Sequence, residues 1–241
     1  MALSLLQIVN RACDQPGLDR PGSVGVVAST VPQTRQMVAL LTLAGTELVQ
    51  SHQWTTLITT ASITLATASS SYSLPTDFDR VIDNAGWDHT NNFPLTGSIA
   101  PQRHQAWLSS AVVGPTTRKE YRLFLTPGAS STVYVHPAPT AVEVLKIPYV
   151  RNTWITTGVT PATEFAADSD TTVFNPYLLI SELKMRFKSA KGLDAADAIY
   201  ERTLMYDRLL AADIGASMLD MGGPRLDGDI LNVPDGNWDL T

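Results

Sequence analysis

Charge is scarce in this chain. Only 17% of its 241 residues are Asp, Glu, Lys or Arg, against about 25% in typical soluble domains, so part of its surface is expected to be covered by partners. Acidic residues number 23 and basic residues 17, for a net charge of -6 and a pI near 5.1. Proteins that grip nucleic-acid phosphates are built on clustered Lys and Arg, so that class is disfavoured, although DNA nearby is not forbidden. Cysteine is almost missing: Cys13 alone can form neither an internal disulfide nor a Cys-rich zinc cluster, and it is expected to be a buried apolar thiol. No stretch approaches the ~18 apolar residues of a membrane span. The opening "MALSLLQIVNRACDQPG" lacks the basic start and apolar run of a signal peptide, so a soluble chain made in a cytoplasm is expected. G-x-S-x-G, H-E-x-x-H, P-loop and G-x-G-x-x-G motifs are absent too. No catalytic residue, metal ligand or cofactor is expected.

What is present has a clear order. Leu5, Ile8, Val9 and Ala12 recur at helical spacing until Pro16-Gly17 stops them. A second helix is predicted from a Ser29 or Thr30 cap, with Pro32 in its first turn and Met37, Leu41, Ala44 and Leu48 on one face, to about His52. From Thr55 to Ser73 eleven of nineteen residues are Ser or Thr and none is charged, which reads as strand. "RVIDNAGW", "EYRLFLT", "STVYVHP" and "VEVLKIPYV" are further strands, with "TPGASS" as a hairpin loop and "APQRHQAWLSS" as a short helix near Pro101. Helical grammar returns with Asn175-Pro176, an N-cap followed by proline, and Leu179 or Ile180, Leu183 and Phe187 carry the face. Asp194 caps a last helix striped by Ala198, Met205, Leu209, Ala212 and Ala216. The fold class is therefore α+β: N-terminal helices (1–54) and a C-terminal αα-hairpin (173–223) meet in a bundle, with an inserted antiparallel β-rich region (55–172). Residues 224–241 carry one Arg and four Asp with no period, and read as an extended acidic arm.

Two groups invite chemistry. Asp77 and Asp79 would share one strand face, and with Asp83, Asp88 and His89 nearby they suggest a carboxylate pair or hard-metal site; Pro75 and the turn habit of Asp favour a structural corner. Lys184, Arg186, Lys188 and Lys191 form a basic cluster, but at a helix end, where cations offset the dipole and meet water. His52, His89, His104 and His136 lie in four separate elements without ligand spacing. Trp107 can anchor a sugar or pack a short helix. Leu231, Val233 and Trp238 lie in the acidic arm, where no local core receives them, and are candidate partner-binding anchors.

"PQTRQMVALLTLAGTELVQSHQW", the Ser/Thr-rich strand, "YSLPTDFDRVIDNAGWD" and "PLTGSIAPQRHQAW" together resemble tailed-phage head-to-tail adaptor (connector) proteins, specifically the tail tubular protein A type of short-tailed phages. Tyr72, Leu74, Pro75, Asp77, Phe78 and Trp87 occupy the places of that family's Y-x-L-P-x-D-F motif and downstream tryptophan, which are structural residues. The resemblance implies a virion protein without catalysis: a homo-oligomeric ring, commonly a dodecamer, beneath the portal protein and above the tail nozzle, assembled in the host cytoplasm. It implies helices packed side by side around a channel, a β-rich region toward the tail, a C-terminal segment reaching the portal, and genomic DNA passing unread. Low charge suits subunit burial, ring closure needs two different patches meeting head to tail, and an acidic protein lets DNA slide. Two other readings stay open: a carbohydrate-recognising tail module using Trp87 and Trp107, and a hydrolase using Asp77 or Asp79.

Overall fold

A computed structural model of the chain describes residues 3–14, 20–21, 27–109, 118–126 and 130–214. The fold is mixed α+β with antiparallel sheets, and it divides into two compact units, one holding the described residues up to Leu57 and from Asn152 onward, the other those from Ile58 to Arg151.

Among the described residues the first unit holds four α-helices: α1 (Leu5–Asp14), α2 (Pro32–Ser51), α4 (Pro176–Ala190) and α5 (Ala196–Ile214), α3 (Pro101–Ser109) belonging to the other unit. A capping box starts α1: the Gln7 amide donates to Ser4 Oγ and the Ser4 amide to Gln7 Oε1. Leu5, Ile8, Val9, Ala12 and Cys13 are its buried face. The start of α2 departs from the sequence expectation. Its cap is Val31, extended and without a side-chain cap bond, because proline at the first helical position drives the preceding residue out of the helical region. Asn175 caps α4 by accepting from the Tyr177 amide at 2.9 Å, and Asp194 accepts from the Ala196 amide at 3.0 Å. Both α1 and α2 pack against α4, which packs against α5. The stripe foreseen on α5 is half realised: Ala198 is buried, Met205 and Leu209 half-buried, and Ala212 exposed, while Ala216 lies outside the described residues. A small sheet, β10-β9-β11 (Thr160–Ala162, Ile155–Thr157, Thr171–Thr172), completes this unit.

The second unit has two sheets and α3 (Pro101–Ser109). In the larger sheet, order β1-β8-β4-β5, β1 (Ile58–Leu65) pairs along all eight residues with β8 (Glu143–Arg151). The far edge of β8 holds β3 (Phe78–Val81) and β4 (Trp87–Asp88), and β4 pairs with β5 (Phe93–Pro94). The smaller sheet runs β2-β7-β6 (Ser71–Ser73, Thr132–His136, Glu120–Phe124); β6 and β7 are the hairpin foreseen around "TPGASS". Alternate residues of both sheets form one core, including Ala61, Ile63, Leu65, Leu145 and Ile147 from one and Tyr121, Val133 and Val135 from the other. A parallel bridge between Thr96 and Glu120 joins the sheets on one side.

Candidate functional site

The conspicuous stretch "YSLPTDFDRVIDNAGWD" folds as a corner of the second unit. Pro75, with φ fixed by its ring, offers its carbonyl to the Phe78 amide at 3.2 Å, closing a turn. Leu74 and Phe78 are buried, and Phe78 lies 5.4 Å from the Tyr149 ring. Asp77 accepts from the Tyr149 hydroxyl at 2.8 Å. Burial first, and then that bond, raise the Tyr149 phenol well above its ordinary range. Tyr72 pins the loop before β2, accepting from the Ala66 amide at 3.1 Å and donating to the Ser69 carbonyl at 2.8 Å. Trp87 is half-buried and donates Nε1 to Asn92 at 3.2 Å.

Two of the other carboxylates, Asp79 and Asp88, are also committed. Asp79 pairs with its neighbour Arg80. Asp88 accepts from the Thr90 and Asn91 amides and from Asn91 Nδ2. It also faces buried Lys119 at 3.4 Å, which in turn contacts Glu143. Asp83 and His89 are exposed. Among the described residues no group of three or more His, Cys, Asp or Glu side chains is placed to hold a metal ion. What the corner does with its acids is fix backbone amides, a phenol and a lysine. Trp107 stacks on His136 at 4.5 Å and meets His104 edge-on, so one indole face is taken by the protein itself. Burial lowers the affinity of His104 for a proton, ahead of the nearby Arg122.

In the first unit two members of the basic cluster, Lys184 and Arg186, are taken up by acids, while Lys191 is exposed at the helix end. Arg186 pairs with Glu47 of α2 at 2.6 Å and with Glu182 of its own helix at 3.2 Å; Arg202 of α5 reaches Glu182 at 2.5 Å, and Lys184 reaches Glu201 at 2.7 Å. Glu182, wholly buried, thus links α4 to α5 and, through Arg186, to α2. Lys191 lies 5.5 Å from the Phe187 ring. Sequence reasoning missed Glu182, although its place among Leu178, Leu179 and Leu183 was a signal: a carboxylate on an apolar face needs buried partners. His52 approaches Asp213 at 3.4 Å, and Asp213 accepts from the Thr55 amide and hydroxyl.

Several large apolar side chains of this unit face outward among its charged ones. Tyr177 of α4 and Ile199, Tyr200 and Leu204 of α5 are 50–70% exposed. Beside them a cavity of about 270 Å³ is lined by Tyr177, Ile180, Ser181, Glu201, Leu204, Met205 and Arg208. A run of large apolar side chains of this kind on a helix face marks an interaction surface. Leu231, Val233 and Trp238 lie outside the described residues. No helix among the described residues is long and apolar enough to cross a membrane.

The family model described as SU10 adaptor protein matches residues 3–221. No curated protein matches the chain.

Proposed function

The chain belongs to the SU10 adaptor protein family, and from that premise we propose that this phage structural protein works as the tail tubular protein A type does: as a ring beneath the portal, joining the capsid to the tail nozzle and letting DNA through. The helices of 1–54 and 173–223 form the bundle that packs side by side around the channel, probed by no sequence-reading group, and the region 55–172 is directed toward the tail. The ring is a dodecamer assembled in the host cytoplasm and carried in the virion, and it performs no turnover.

The observation that carries the ring is the exposed apolar face of α4 and α5. A cyclic ring needs such a patch on each subunit meeting a different patch on the next. Lys184 and Arg186 are paired with Glu201, Glu47 and Glu182, and Glu201 and Arg208 edge the apolar side chains around the cavity, as a polar rim surrounds the apolar centre of an interface. Leu204→Lys, at a 59% exposed position, is expected to leave the melting temperature within about 2 °C, as surface changes do, while abolishing ring formation on the portal by electron microscopy. Rings of undiminished yield would remove this face from the interface.

The arm 224–241 docks on the portal through Leu231, Val233 and Trp238. Deleting it is expected to weaken portal binding at least tenfold, a loss of about 1.4 kcal/mol, with the melting curve unchanged. Equal affinity of the truncated and full chains would end this assignment.

A further inference from the structure

The two sheets of the second unit nearly close a circuit. The path β2-β7-β6 continues through Thr96, whose amide donates to the Lys119 carbonyl and whose carbonyl accepts from the Tyr121 amide, into β5-β4-β8-β1. Among the described residues one opening is left, between β1 and β2, each of which has a ladder partner on one side only.

The register says which backbone groups face the opening. On β8 the Val144 and Pro148 carbonyls accept from His89 and Ile82, and the Val144 amide donates to Thr90. Even-numbered residues of β8 therefore point to β3 and β4, and odd-numbered ones to β1, since antiparallel strands alternate in this way. Their partners are Thr59, Ala61, Ile63 and Leu65, so the amides and carbonyls of Thr60, Ser62 and Thr64 point outward. A like alternation holds on β2. Leu74 donates to Ser131 and Ser70 accepts from Val135, which turns the groups of Ser71 and Ser73 away from β7. Residues 61–64 and 72–75 bound a common cleft of about 410 Å³. No hydrogen bond from another described residue reaches the outer edge of β1.

Natural edge strands are blunted by Lys, Pro or a bulge. β1 has none of these, its eight residues "ITTASITL" pair without a register shift, and no charge occurs from Thr55 to Ser73. We propose that this seam is a strand-addition site, closed by an extended, uncharged segment of the tail-side partner protein; the identity of the partner rests on the adaptor reading above. Each wall is four residues long, so the inserted strand spans about 13 Å. It lies between neutral walls, where a charge would meet no counter-charge. Backbone bonds hold it, and every second side chain continues the row of Ala61, Ile63 and Leu65. A second copy of this chain fits less well: among the described residues each extended run of four or more is already in a ladder, and β1 paired with another β1 gives a two-fold pair, not a ring.

The test follows amide hydrogen exchange in the full chain with acetyl-Thr-Val-Thr-Val-Thr-Val-amide as probe. Saturating peptide should slow exchange at Thr60, Ser62 and Thr64 at least tenfold while leaving Ala61 and Ile63, already bonded to β8, unchanged. A peptide N-methylated at alternate residues should protect nothing, and Ser62→Pro, which removes an outward amide and no ladder bond, should weaken binding at least tenfold. No protection at saturation, or equal protection by the N-methylated peptide, overturns the site whether or not the variant folds. In the portal-bound ring the same amides should become protected only when the tail protein is added. Protection already complete without it assigns the seam to a neighbouring copy and overturns the proposed occupant. A portal-bound ring whose amides stay open with the tail protein attached sinks this inference alone, whereas a chain that takes the peptide but forms no ring keeps the site and loses the adaptor reading.

Discussion

Gly45→Ala is expected to lower the melting temperature by about 4–8 °C, although alanine is the better helix former. Gly45 lies on the buried face of α2. A Cβ there would stand 2.2, 2.3 and 2.5 Å from Cζ2, Cη2 and Cε2 of Trp154, distances that no side chain tolerates. Trp154 is buried and wedged edge-on against Phe165, with Phe174 at 6.1 Å, so its ring has nowhere to retreat. Overpacking of a tight core costs about 3 kcal/mol, and the helix preference of Ala over Gly returns about 1 kcal/mol. The difference of about 2 kcal/mol corresponds to the stated shift for a chain of this size. Combining the change with Trp154→Phe isolates the cause. In that background Gly45→Ala should be neutral or stabilising, a coupling of more than about 1 kcal/mol in a double-mutant cycle. A rise in melting temperature on Gly45→Ala alone would contradict the packing described.

Glu182→Ala is the second large effect, expected to cost about 2–3 kcal/mol. Breaking a buried ion pair by removing one partner costs about 3–5 kcal/mol when the survivor is trapped. Here the survivors have outlets: the Arg186 and Arg202 side chains are 17% and 29% exposed, and Arg186 keeps Glu47. Glu182 has no such outlet, its side chain being 1% exposed. Arg202→Ala should nevertheless cost less, about 1 kcal/mol, because Glu182 retains Arg186. Denaturant melts of the two variants check the order. An Arg202 loss exceeding the Glu182 loss would mean that the carboxylate is not the centre of the network.

Local grammar carried much of the architecture. Asn175-Pro176 and Asp194 announced the starts of α4 and α5, and the Pro/Gly/Ser punctuation around "TPGASS" announced the β6–β7 hairpin, because caps and turns are decided by a few neighbouring residues. The capping box of α1 was equally local, in Ser4 and Gln7, and was readable but not read. At α2 two local rules competed, Ser29 or Thr30 as cap against the restriction that Pro32 places on Val31, and the proline won. Other features depend on distant partners. Nothing near Gly45 in the chain says that Trp154 will lie over it, and nothing in "ITTASITL" says that one of its edges takes no ladder partner among the described residues. The acids of "YSLPTDFDRVIDNAGWD" looked like chemistry for a similar reason: Tyr149, which occupies Asp77, and Lys119, which faces Asp88 beside its local bonds to Thr90 and Asn91, come from elsewhere in the sequence. The stripe of α5 marked a limit of periodicity, since Ala198 is buried, Met205 and Leu209 are only half-buried and Ala212 is exposed, while the exposed Ile199, Tyr200 and Leu204 lie outside it.

The central claim, a ring-forming connector, is tested most directly by electron microscopy of the purified chain mixed with its portal protein. Ring-shaped complexes with the chain seated under the portal are predicted, and a chain that stays monomeric in the presence of the portal would contradict the account.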